Sequence, residues 1–266
     1  MKTAAAAIPF TKATACGNDF LLIDGLHAPA DLASFTRRIC NRHNGAGADG
    51  VEWLFPDPKH EADVRARLFN ADGSEAEISG NGTRCVAAYW LAESDQQKVT
   101  VRTGAGLKHC TLIKRDGNRF TFEVDMGEPQ VGEEFTLKTS FKEVKGIPVS
   151  MGNPHFVVFV EDFSPGWQAD AAEIGRHHDF KHGINVELVK VSRRGSVHVR
   201  FFERGVGETQ SSGTGSCASA VAAIAAGKCE SPVEVIAPGG VQSVQWRGTV
   251  RLTGEAQLLY RGDFFV

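Results

Sequence analysis

The chain lacks any apolar run of the ~18 residues that a membrane helix needs, so no membrane partner is expected. It also lacks a basic cluster. Its lysines and arginines are scattered and the net charge is −3, which leaves no electrostatic footprint for nucleic acid. None of its six cysteines (Cys16, Cys40, Cys85, Cys110, Cys217 and Cys229) forms a C-x-x-C pair, and no histidine cluster completes a zinc spacing. No metal site is therefore expected, and the cysteines read as reduced, mostly buried thiols. A secretory leader is not expected either. The opening "MKTAAAAIPFTKATAC" is apolar only from Ala4 to Phe10, and Lys12 then interrupts it. The expected location is cytoplasmic.

What is present is a β-rich pattern with few helices. Runs such as "FLLID", "VEWLF", "KVTVRT", "HFVVFV", "NVELVKV" and "SVHVRFFE" alternate or run apolar, and Gly, Asp and Asn punctuate them. Asp116-Gly117 marks a hairpin. Helices are expected over 33–43, 82–94, 167–176 and 213–228, the last with Gly227 as its C-cap. The second and fourth of these follow near-identical openings, "EISGNGTRC" and "QSSGTGSC", half a chain apart. This weak internal duplication predicts an α+β fold of two similar lobes, each a sheet wrapped round one central helix. The expected division is 1–122 and 123–266, and the hydrophobic tail "LLYRGDFFV" is free to return to the first lobe as a strand or to form an interface.

Two glycine-rich features compete for the chemistry. "GAGADG" (45–50) spells G-x-G-x-x-G, but a helix-like run precedes it and a strand follows. A dinucleotide turn requires the reverse order, so that reading is set aside. The Ser-Gly turns at Ser79 and Ser212 sit where a helix begins. A helix N-terminus carries unsatisfied N–H groups and about half a positive charge, and glycines let a ligand approach the backbone. Two such ends would cradle a carboxylate. For each turn alone the plain alternative is that serine is simply a favoured N-cap.

The segments "GNDFLLID", "RHNGAGADG", "FNADGSEAEISGNGTRC", "MGNPHFVVFV", "GINVELVKV" and "FFERGVGETQSSGTGSC" resemble, in order and spacing, the diaminopimelate epimerase family. The likeness runs over nearly the whole chain. Proline racemases and phenazine-pathway isomerases belong to the wider fold family but lack this full set. The resemblance implies pseudo-symmetric lobes, a small amino-acid substrate clamped between them, and often a homodimer. It also implies α-proton transfer between two bases, with neither pyridoxal phosphate nor a metal. Backbone groups of Gly80, Asn81, Gly213 and Thr214 would hold the α-carboxylate. Asn70, Asn153, Asn185 and Arg204 match the residues that hold the distal amino-carboxylate of diaminopimelate, and Asn18 matches a residue near the reacting centre. His155 and Glu203 match positions close to the two bases.

The chain departs from the family at the bases themselves, which are cysteines there and Ser79 and Ser212 here. A thiol starts at a pKa of about 8.5 and is readily lowered at a helix N-terminus. A serine hydroxyl starts far higher and needs an adjacent base. A helix end worth roughly 0.3–2 kcal/mol cannot make an alkoxide abundant at neutral pH. Cys85 and Cys217 lie further into the helices and read as small buried residues. Four readings stay open: epimerisation with serines helped by His155 or Glu203, a one-base isomerisation or dehydration, a non-catalytic amino-acid binder, and laboratory replacement of two cysteines. Ile78, Thr83 and Ser211 also depart from the commonest family residues, which favours natural divergence.

Overall fold

The structure, a computed structural model, describes residues 7–266. Most of the alanine run at the start, on which the leader question turned, lies outside the described residues, whereas Ala7 onward is strand. The chain divides into two compact units, Met1–Val124 with Gly254–Val266, and Asp125–Thr253.

The first unit contains β1 (Ala7–Ala15), β2 (Asn18–Asp24), α1 (Leu32–Ile39), β3 (Gly50–Phe55), β4 (Val64–Asn70) and β5 (Glu75–Ala76). These are followed by α2 (Gly80–Leu91), β6 (Lys98–Thr103), β7 (Gly106–Asp116) and most of β8 (Arg119–Gly127). The eight longer strands close into a ring in the order β1, β2, β3, β4, β6, β7, β8 and the end of the last strand of the chain, which pairs back onto β1. Inside the ring runs α2. Its Cys85, Val86, Ala87, Ala88 and Leu91 are fully buried, which explains why this helix is small-residued and apolar all round. Outside, α1 packs Phe35 and Ile39 onto Trp53, Leu21 and Ile23. Strand β2 is thus covered on both faces, and its "FLLI" is continuously apolar for that reason.

The second unit repeats the scheme. It holds β9 (Gln130–Val131), β10 (Phe135–Lys138), β11 (Glu143–Ser150), β12 (Pro154–Phe159), α3 (Trp167–Gly175), β13 (Asn185–Arg193) and β14 (Ser196–Glu203). Then come β15 (Gly207–Thr209), α4 (Gly213–Ala225), β16 (Val233–Ala237), β17 (Gly240–Arg247) and the start of β18 (Thr249–Phe265). From β11 through β12, β13, β14, β16, β17 and β18, the pairings run antiparallel, parallel, antiparallel, parallel, antiparallel, antiparallel. From β1 to β8 the sequence of pairings is the same. The central helix α4 is buried along Cys217–Ala223, and α3 covers the outside with Trp167, Ala171 and Ile174. The α+β class and the central helix wrapped in strands therefore hold for each unit.

Two elements differ from the sequence reading, the last strand and the first helix. The runs 249–254 and 256–262 are one continuous strand, β18. Its far half pairs with β1, the return to the first lobe that was left open for the tail, and Gly254–Val266 groups with the first unit. Helix α1 stops at Ile39, short of His43, because the Asn41 side chain accepts the His43 and Asn44 N–H groups and turns the backbone out of the helix.

Candidate active site

Each central helix begins in the same way. Ser79 caps α2 in extended geometry and its Oγ accepts the Gly82 N–H at 3.1 Å. Ser212 caps α4 likewise, accepting the Gly215 N–H at 3.2 Å. The first intrahelical bonds run from Thr83 to Ser79 and from Ser216 to Ser212. The N–H groups of Gly80 and Asn81, and of Gly213 and Thr214, therefore stand at the two helix ends, where the dipole is positive. The capping role and a chemical role are compatible, since a hydroxyl that accepts one hydrogen bond still has its proton to donate.

Register extends the correspondence. Glu52 on β3 pairs with Leu22 and Leu68, and Glu187 on β13 pairs with Val157 and Phe201. Both glutamates are buried and lie against the third residue of a central helix. A Cβ at Gly82 would collide with Glu52 Oε1, and one at Gly215 would stand 2.8 Å from Glu187 Oε1. The same register aligns Asn70 with Glu203 and Phe20 with His155.

In the first unit, Asn18 donates to Asp49 at 3.1 Å and accepts from the Asn81 side chain at 2.7 Å. Buried Arg84 donates to the Asn81 side-chain Oδ1 and to the backbone carbonyl of Glu255. Beside Asn18, burial disfavours the charge on Asp19, but hydrogen bonds from Arg42 and Lys12 outweigh it and hold the carboxyl down at about 2. Asn70 binds Ser74 at 3.0 Å across a tight turn and is separate from that network. Burial pushes Cys16 and Cys85 upward, so neither is a ready thiolate.

In the second unit, Ser212 donates to Glu203 Oε2 at 3.2 Å, and Thr209 fixes Glu203 Oε1 at 2.7 Å. A hydroxyl at a helix end, in contact with a carboxylate, is the arrangement that lets serine give up a proton. His155 is fully buried, with Nδ1 at 2.7 Å from Glu187 Oε1 and Nε2 at 3.0 Å from Asn153 Oδ1. Asn153 also donates to Thr214 Oγ1 at 3.3 Å. Asn185 donates to the Pro154 carbonyl and accepts the Arg204 N–H, both at 2.9 Å. The Arg204 guanidinium is exposed and touches the His182 carbonyl at 3.3 Å.

The second unit thus gathers Ser212, Glu203, His155, Asn153, Asn185, Arg204 and Thr214 around one end of α4. The first gathers Ser79, Asn81 and Asn18 around the start of α2. Sequence reasoning passed over Glu52, Glu187 and Arg84. The signal for the glutamates was an acidic residue inside an otherwise apolar strand run, "VEWLF" and "NVELV". Arg84 carried no such mark. Among the described residues one cluster could offer three metal ligands, the consecutive His177, His178 and Asp179 in the loop after α3, and it includes none of the predicted site residues.

The diaminopimelate epimerase family model matches residues 10–132 and 147–259. The diaminopimelate epimerase of Halothermothrix orenii is 35% identical over 97% of this chain and 98% of its own length. That of Desulforudis audaxviator is 39% identical over 96% and 98%. Among solved structures, a hydroxyproline epimerase from Agrobacterium vitis with bound trans-4-hydroxy-L-proline superposes with a TM-score of 0.75 at 17% identity, covering 98% of this chain and 93% of that one. A predicted epimerase from Pseudomonas aeruginosa superposes at 0.73 and 18%, covering 97% and 99%. At those identities the structures speak for the fold, and the sequence matches speak for the family. With a matching model over most of its length and relatives above a third identical from end to end, the chain belongs to the diaminopimelate epimerase family.

Proposed function

We propose that this protein interconverts LL- and meso-diaminopimelate by α-proton transfer, with Ser79 and Ser212 in the roles of the two bases. One removes the α-proton and the other returns a proton to the opposite face of the carbon. The observation that carries this reading is the Ser212 hydroxyl, held between the Gly215 N–H and the Glu203 carboxylate at the head of α4. The α-carboxylate is assigned to the N–H groups of Gly80, Asn81, Gly213 and Thr214, which would stabilise the carbanion-like transition state. Asn70, Asn153, Asn185 and the exposed Arg204 are assigned to the distal amino-carboxylate, where the guanidinium fork suits a bidentate grip. Asn18 supports the first helix end through Asn81. This chemistry uses no organic cofactor. A cytoplasmic homodimer fits the family reading, and the mass in solution checks the dimer.

One observation favours a narrower alternative. Asn70 stands where its register equivalent in the second unit is Glu203, so Ser79 has no carboxylate at the corresponding place in its own unit. That asymmetry suits a one-base isomerisation driven from Ser212. Incubation with LL-diaminopimelate in deuterated water separates the readings. The epimerase reading predicts meso product carrying α-deuterium. Absence of both product and exchange at high enzyme concentration refutes it.

A further inference from the structure

We propose that Glu187 is a positioning residue that shares a proton with His155 Nδ1 and so keeps Nε2 protonated and aimed at Asn153. The proposal lies wholly within the second unit, and only its kinetic arm rests on the epimerase reading above.

The argument starts from burial. Glu187 and His155 are both completely excluded from solvent, and their contact of 2.7 Å is short for a nitrogen–oxygen pair. The parallel pairing of β12 with β13 sets His155 one inward-facing place from Val157, the partner of Glu187. Both side chains therefore point to the same face of the sheet, towards the first turn of α4. Space for the carboxyl depends on Gly215. A methyl group there would meet Glu187 Oε1 at 2.8 Å and Phe201 at 2.9 Å.

The hydrogen bonds then fix the proton count. Asn153 offers Nδ2 to Thr214 and its carbonyl oxygen to His155. Nε2 must therefore be the donor in the second contact. One further proton lies between Nδ1 and Glu187 Oε1. The other carboxyl oxygen, Oε2, is buried and has no hydrogen-bond partner among the described residues. An ionised carboxylate would leave that oxygen's charge unsolvated, so the pair is held neutral overall. Burial raises Glu187 above the usual carboxylate range, in line with a retained proton. The shared proton thus fixes the ring's tautomer and orientation, with Nε2–H directed at the Asn153 side-chain oxygen.

The first unit supplies a built-in contrast. Glu52 occupies the equivalent strand position, but its register partner in place of His155 is Phe20. Both units keep the carboxyl beneath the helix; only the second adds the imidazole.

Nitrogen-15 and proton spectra of histidine-labelled protein test the proposal directly, with the His155 signals assigned by their loss in His155→Asn. The wild type should show a protonated Nε2 and a far-downfield proton at Nδ1. Glu187→Gln, of the same shape, should lose the downfield proton, and Glu187→Leu should lose it and release the ring. Because Asn153 is assigned to substrate binding, both variants should raise KM for diaminopimelate about tenfold with a smaller change in kcat. A wild-type spectrum with bare Nε2 overturns the proposal, as does a downfield proton that survives Glu187→Gln. If the wild type shows the predicted spectrum but never turns over diaminopimelate, the function assigned above fails and the proton-sharing pair stands.

Discussion

Glu52 should make the protein lose stability as the pH rises, and replacing it should remove that loss. Its side chain is buried on β3 against the first turn of α2, and burial pushes its carboxyl from an ordinary value of 4.5 up to about 8. Between those values the folded chain retains a proton that the unfolded chain releases, so stability falls with rising pH across that window. At about 1.4 kcal/mol per pH unit the whole span is worth about 5 kcal/mol, of which about 3 has gone by pH 7. The positive end of α2 opposes this by up to about 2 kcal/mol, since it favours the carboxylate. A net loss of about 3–5 kcal/mol between pH 4.5 and 9 follows. Glu52→Gln keeps the shape and cannot ionise. Urea unfolding of both proteins at pH 5, 7 and 9 should give curves that differ little at pH 5. By pH 9 the variant should be the more stable by about 3–5 kcal/mol. A difference that stays constant with pH would show that Glu52 is not held protonated, and the burial argument would fail with it.

Other consequences are simpler to state. Arg204→Ala should raise KM for diaminopimelate by about 10- to 100-fold, as expected for a lost charged hydrogen bond, with a smaller change in kcat. Arg204→Lys should recover only part of that, because an ammonium lacks the planar fork; steady-state kinetics decide both. Gly215→Ala should cost about 1–3 kcal/mol in thermal unfolding, since the new methyl meets Glu187 and Phe201. Placing cysteine at both 79 and 212 should raise kcat, because a thiol is far closer to ionisation than a hydroxyl at the same helix end. An unchanged or lower rate would mean that the site has adapted to serine.

Much of this was legible in the sequence. The two helix entrances stood out because a Gly-rich turn running into an alanine-rich segment occurs twice, and each helix is swallowed by strands as its all-round apolar character requires. The reach of the last strand was less legible. The tail "LLYRGDFFV" was left free to return to the first lobe or to form an interface, and nothing local in it chooses the pairing with β1, since strand pairing over such a distance leaves no local mark. Helix α1 ended early for a local reason that could be read only afterwards, the turn made by the Asn41 side chain. The buried glutamates were visible as acidic residues in apolar strands. Their meaning depended on register, which sets His155 beside one and Phe20 at the equivalent place beside the other. Glu203 and Ser212 lie nine residues apart in sequence, and their contact follows from the short β14–β15 hairpin that folds the chain back before α4.

The central claim is that two monoprotic hydroxyls, Ser79 and Ser212, act on opposite faces of one carbon. The position of deuterium at low conversion, with LL-diaminopimelate in deuterated water, tests it most directly. Two-base transfer predicts α-deuterium in the meso product and none in the remaining substrate. Deuterium appearing equally in product and recovered substrate would mean a single exchanging base. Deuterium in neither, with no meso product formed, would mean that the serines do not move the proton at all.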